Sequence, residues 1–71
     1  MSEPNVTDLV RIKAPYTRDV LLQEVAHDSG MVLLRVRIRE GRRFTILDLD
    51  AETARLWGGA MVDWAAGQER A

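Results

Sequence analysis

From Met31 to Asp50 the sequence MVLLRVRIREGRRFTILDLD alternates apolar and polar residues in two runs separated by Gly41. Alternation with period two is the mark of a half-buried strand, so the stretch predicts a β-hairpin. A three-residue loop of Arg39, Glu40 and Gly41, with Gly41 left-handed, pairs Ile38 with Arg42, Val36 with Phe44, Leu34 with Ile46 and Val32 with Asp48. That register collects Val32, Leu34, Val36, Ile38, Phe44 and Ile46 on one face, which is the predicted core. A two-residue loop of Glu40 and Gly41 would set Val36 against Thr45 and mix charge into both faces. Because a slip of one residue turns every side chain over, the pattern favours the longer loop. The second face then holds Met31, Leu33, Arg35, Arg37, Arg43, Thr45, Leu47 and Leu49, apolar at the open end of the hairpin and basic at its turn.

Upstream, TDLVRIK at residues 7–13 predicts an edge strand with Val10 and Ile12 on one side and Arg11 and Lys13 toward water. Pro15 cannot donate to a ladder and biases Ala14 away from helix, so Ala14 to Thr17 form a turn. Asp19 to His27 is the next strand. A loop of Asp28, Ser29 and Gly30 would place Val20, Leu22 and Ala26 on the first face, together with Glu24 opposite Leu34. A longer loop from His27 to Gly30 would place Leu21 and Val25 there instead, and the pattern leaves both open.

Downstream, Asp50 precedes AETA as an N-cap, with acidic residues where the helix dipole favours them. Helical spacing aligns Ala54, Trp57, Met61, Trp64 and Ala65 in one stripe that would pack on the sheet through the two tryptophans. Gly58 and Gly59 each cost about 1 kcal/mol relative to Ala, which suggests a close backbone approach or a bend. Gly67 would end the helix. The fold class is therefore α+β: a four-stranded antiparallel sheet of β-hairpins followed by one C-terminal helix packed on it. Residues 7–67 form the single domain, with a flexible start over 1–6 and a frayed end over 68–71.

A chain of 71 residues holds one domain, and a domain this small buries only about 60% of its unfolded surface, so association would help it. There is no cysteine, which argues against a disulfide framework. The first residues show neither a basic leader nor an apolar run, and no stretch approaches the ~20 apolar residues that span a bilayer, so the expected place is the cytoplasm. Net charge is −1, but five of the nine arginines lie between Arg35 and Arg43, while Asp48, Asp50 and Glu52 cluster at the other end.

Each candidate chemistry has a plain counterpart. His27, the single histidine, lacks the converging groups of a base or a metal site and reads as a loop residue. Asp48, Asp50 and Glu52 could meet a divalent cation, but no loop wraps it and Asp50 serves as a cap. Arg35, Arg37, Arg39, Arg42 and Arg43 are the candidates for binding phosphates or other anions. Against that, Phe44 is assigned to the core, away from these arginines, and a charged, solvated sheet face is the plainer explanation of them. No catalytic residue, metal ligand or cofactor is expected.

The segment IREGRRFTILDLDAETARLWGGAMVDWA, residues 38–65, resembles a group of short bacterial proteins of unknown function, a resemblance that implies no activity. The order of elements is also similar in outline to the PC4-like transcriptional coactivators, which implies a dimer and single-stranded DNA binding. The chain departs from them in lacking a lysine-rich character and exposed sheet aromatics. The residues themselves point to a non-enzymatic, self-associating interaction module, a homodimer or one subunit with a partner protein. Met31, Leu33, Leu47 and Leu49 on the sheet, or Leu56 and Val62 on the helix, are its candidate contacts. Nucleic-acid or polyanion binding through the arginines is the alternative, and a small metal- or ligand-binding domain a remote third.

Overall fold

The structure, a computed structural model, describes residues 4–69. Four strands, β1 (Asn5–Ala14), β2 (Arg18–Ala26), β3 (Val32–Glu40) and β4 (Arg43–Leu49), precede one helix, α1 (Ala51–Glu69). The strands form one antiparallel sheet in the order β1-β2-β3-β4, each beside its neighbour in sequence. The expected α+β class and the helix start at Ala51 are both present. β1 begins at Asn5, two residues ahead of the expected start at Thr7, and the expectation for residues 1–3 falls outside the described residues. The helix passes through Gly67 to Glu69 instead of stopping there.

The central hairpin turns on Gly41 and Arg42, with Glu40 paired to Arg43, and not on the three residues Arg39 to Gly41. Gly41 has φ +60, while Arg42 is absent from the residues with positive φ. Glycine at the first central position of a two-residue loop is the preference of the type II′ turn, whose twist matches that of the flanking strands. The consequence is a register shift of three residues, an odd number that turns β4 over: Val36 faces Leu47 and Leu34 faces Leu49, whereas Phe44 and Ile46 pair with Arg39 and Arg37. This is neither of the two loops considered: a loop of Glu40 and Gly41 was expected to mix charge into both faces, whereas the Gly41–Arg42 loop keeps them apart, because Leu47 and Leu49 join the aliphatic side.

At the preceding hairpin the shorter of the two open loops is found. Ala26 pairs with Val32 and Glu24 with Leu34, and Gly30 closes the loop at φ +93. In β1 a bulge between Asp8 and Val10 shifts the register. Before it, Val6 and Asp8 share a face with Val25 and Gln23. After it, Val10 and Ile12 sit opposite Leu22 and Val20, so the extra residue moves two aliphatic side chains to the other side of the sheet.

The sheet therefore has an apolar face and an arginine face. The apolar face carries Val10 and Ile12 of β1, Val20 and Leu22 of β2, Val32, Leu34, Val36 and Ile38 of β3, and Leu47 and Leu49 of β4. Of these only Val36 is buried. On the arginine face Val25 and Leu21 are buried, along with the polar Gln23. Among the described residues three buried hydrophobic ones are a small core, although one more large aliphatic side chain fully removed from water is worth about 1.5–3 kcal/mol.

The helix does not supply the missing cover. It has no buried residue, and Trp57 and Trp64, expected to anchor it on the sheet, are 40% and 69% exposed. It touches the sheet chiefly beside β3. The molecule measures 53 × 30 × 15 Å. The seven-residue β4, about 23 Å long, followed by a 19-residue helix of about 28 Å accounts for the long dimension when the two are laid nearly end to end. The cause is the connection, since β4 ends at Leu49 and α1 begins at Ala51. One intervening residue cannot reverse the chain over the sheet, for which connections of about 2–6 residues are usual. Nor, among the described residues, does any backbone approach Gly58 or Gly59, where an added Cβ would meet nothing within 4 Å.

The turns carry opposite conformational balances. Tyr16 and Thr17 adopt φ 64 and 59 without being glycine, a conformation that costs an ordinary residue roughly 1–2 kcal/mol. Gly41 meets its positive φ without that cost. Gly41→Val should therefore lower stability by about 1–2 kcal/mol, although its Cβ would enter open space. Thr17→Gly should raise it by about 0.5–1 kcal/mol, the relief being partly offset by a more flexible unfolded chain. Urea unfolding at matched protein concentration reads both.

Candidate functional site

On the arginine face the register aligns Asp8, Gln23, Arg35 and Asp48 in one row across all four strands. Gln23 Nε2 donates to Asp8 Oδ1 at 2.8 Å. Arg35 forks onto Asp48, with Nε to Oδ1 at 2.9 Å and Nη2 to Oδ2 at 3.2 Å. Both pairs join residues directly opposite each other, where cross-strand contacts are strongest. The hydrogen bond from Arg35 holds the Asp48 carboxyl below its ordinary pKa, with smaller electrostatic help from Arg35 and His27. The same bond raises the pKa of Arg35. Arg35 is thus committed to an ion pair.

Nearer the turns the face is basic and less satisfied. A shallow depression of about 190 Å³ is lined by Arg11, Asp19, Leu21, Arg37, Arg39 and Phe44. Arg39 Nε stands 3.9 Å from Asp19. The Arg37 guanidinium lies 4.7 Å from the Phe44 ring centroid, within the range of a cation–π contact. Phe44 remains 51% exposed. This overturns its assignment to the core and places an aromatic ring among the arginines, a direct result of the two-residue turn.

The candidate arginines are consequently divided. Arg37 and Arg39 line the depression, Arg35 is paired beyond it, Arg42 occupies the turn, and Arg43 starts β4 on the apolar side. Arg11 and Asp19 were not among the candidates. The alternation of Arg11 and Lys13 with Val10 and Ile12 was visible, but the strand pairing that brings Arg11 across Leu21 to Arg37 was not.

The candidate contact residues divide as well. Leu47 and Leu49 lie on the apolar face, Leu33 lies on the arginine face opposite Val25, and Met31 precedes β3, exposed. Leu56 and Val62 are exposed on the helix. Ala54, Trp57, Met61, Trp64 and Ala65 align in the predicted stripe, and a shallow concavity runs along Trp57, Ala60, Met61, Trp64 and Ala65. Helical spacing places Leu56 and Val62 off this stripe, flanking it on opposite sides.

The acidic cluster disperses in the same way. Asp48 pairs with Arg35, and Asp50 caps the helix, accepting from the Thr53 N–H at 2.8 Å. The Thr53 hydroxyl and N–H together hold the Asp50 carboxyl below its ordinary pKa. His27 belongs to the β2–β3 loop, its N–H donating to the Met31 carbonyl at 2.8 Å. Among the described residues no three His, Cys, Asp or Glu side chains gather as metal ligands.

The Arg35–Asp48 pair carries a pH signature. Because the folded-state pKa of Asp48 is depressed, its contribution is present above the ordinary carboxylate pKa and is lost as pH falls through the depressed value. The two side chains are 28% and 34% exposed, so screening limits the pair to at most about 1 kcal/mol. Asp48→Ala should be destabilised by that amount at pH 7, and the gap from the parent should close on acidification below the ordinary carboxylate range, as followed by unfolding curves at several pH values.

No described helix is long and apolar enough to cross a membrane. No curated protein matches the chain. No solved structure matches it either, so the outline likeness to PC4-like coactivators gains no support. Residues 3–67 match a family of unknown function, DUF6967. With nearly its whole length matched, the protein belongs to that family.

Proposed function

We propose that this protein is a non-enzymatic, self-associating interaction module. The observation that carries the reading is a sheet whose aliphatic face lies open beside a helix whose tryptophans are equally open. Val10, Ile12, Val32 and Leu47 are 40–51% exposed, and Met61 and Trp64 on the helix 58% and 69%. Contiguous apolar surface on this scale marks a site of association. Leaving it wet would forgo several kcal/mol, comparable to the stability of a domain this small.

A second reading, polyanion binding, is favoured by the depression in which Arg11, Arg37 and Arg39 surround a half-exposed Phe44. Guanidinium groups beside an aromatic ring are the elements that single-stranded nucleic acids use. It occupies the opposite side of the sheet, so the two readings are compatible in space. Salt distinguishes them, since binding through phosphates weakens steeply with salt and an apolar interface barely responds.

Light scattering across micromolar concentrations should give the mass of at least two chains, and Leu47→Glu should reduce it to one. A wild-type chain that stays monomeric at high micromolar concentration would defeat the reading, and a Leu47→Glu variant that associates as well as the parent would remove the apolar sheet face from it.

A further inference from the structure

We propose, resting on the self-association reading, that two copies of the chain exchange helices, α1 of each lying along the apolar sheet face of the other. The occupant of each open face is then already present in the sequence. The helix stripe of Trp57, Met61 and Trp64 needs an aliphatic floor, and Leu22, Leu34, Val36 and Leu47 form one across the middle of the sheet. The helix cannot reach its own floor because Asp50 alone separates it from β4. A second copy removes that restriction, and because the relation is mutual a two-fold axis closes the pair without leaving a free surface to propagate.

The dimensions agree. A 19-residue helix is about 28 Å long, and the nine-residue strands beneath it are about 30 Å long. In each chain the exchange would use one helix stripe and one sheet face. Two tryptophans, each able to bury about 150–250 Å², together with Met61 and the aliphatic floor they cover, approach the roughly 800 Å² per partner of a standard stable interface.

Other arrangements of two copies leave more surface open. Sheet against sheet covers the aliphatic floor but leaves both tryptophan stripes in water. Helix against helix does the reverse. Only the exchange covers both. It also gives a reason for Gly58, though not for Gly59 on the opposite side of the helix: Gly58 lies beside the stripe, and although none of the described residues of its own chain approaches it, the lack of a side chain permits a partner backbone to come close. The polar rim is compatible too, because the Arg18–Glu40 ion pair, with Nε to Oε2 at 2.6 Å, sits at the turn end of the apolar face, where it stays about half exposed.

The absence of cysteine in the native sequence makes the arrangement directly testable. Met61→Cys and Leu22→Cys would be prepared separately, checked by light scattering for the parent mass, mixed in equal amounts, unfolded and refolded together, and treated with a short thiol-to-thiol cross-linker. Trp64→Cys with Leu47→Cys is a second pair should the first disturb assembly. The exchange predicts a mixed helix-to-sheet product severalfold in excess of either like-with-like product. A dominant Met61→Cys homodimer would mean helix against helix, and a dominant Leu22→Cys homodimer sheet against sheet. Either result, or no product from a chain pair of dimeric mass, overturns the exchange while leaving self-association standing. A single chain carrying both substitutions should link between chains. Linkage within one chain would show the helix folded back on its own sheet and overturn the exchange. A monomeric mass for the unsubstituted protein overturns both readings together.

Discussion

The shortest connection in the molecule governs its shape. Leu49 is the last residue of the sheet and Ala51 the first of the helix, and the residue between them is occupied as an N-cap through its hydrogen bond to the Thr53 N–H. Capping satisfies an otherwise orphaned backbone donor and favours helix initiation at once. It removes the slack that a reversal of direction would need. A domain ordinarily brings two layers together around one core. Here the two layers are made by the same chain and kept apart by it.

The sheet, by contrast, covers the centre of one of its faces with its own side chains. The Asp8–Gln23 and Arg35–Asp48 contacts span its width, Val25 is fully buried, and the Arg37 side chain lies against Phe44. Long polar side chains shield the short aliphatic ones at its centre, while Val6, Phe44 and Ile46 toward its edges stay about half exposed. The other face has aliphatic side chains and few long polar ones to cover them. Division of the surface into an arginine side and an aliphatic one follows from two local details, the Gly41–Arg42 turn and the bulge at Leu9. Shifting either by one residue would mix the two sets.

Much of this was legible in the residues. Strict alternation announced the central hairpin, Asp50 announced the start of the helix, and Asp28-Ser29-Gly30 announced one of the two loops considered for β2 and β3. The parity of β4 was not legible. Gly41 fits a three-residue loop as its last member and a two-residue loop as its first, and both give tidy aliphatic faces, one with Phe44 and Ile46 and the other with Leu47 and Leu49. Exchanging them moved Phe44 to the arginine side and so altered the candidate anion site more than it altered the fold. The tryptophan stripe was read correctly as an apolar surface, but periodicity records only that a side chain wants cover. The supposition that its own sheet supplied that cover came from the usual economy of small domains, and the one-residue joint, plain in the sequence, was the signal against it.

The nearest-neighbour order of the strands also has a kinetic meaning. Each strand pairs with the next in the chain, so the sheet is assembled by closing three short loops, and contacts this local form quickly because little loop entropy must be surrendered first. Hairpins of this kind form in about 1–10 μs. The encounter of two chains is slower and depends on how many are present. In an exchanged pair the sheets would be made early and stay only weakly held until a partner arrived, so that the amount of lasting structure in a cell would rise faster than in proportion to the amount of chain synthesised.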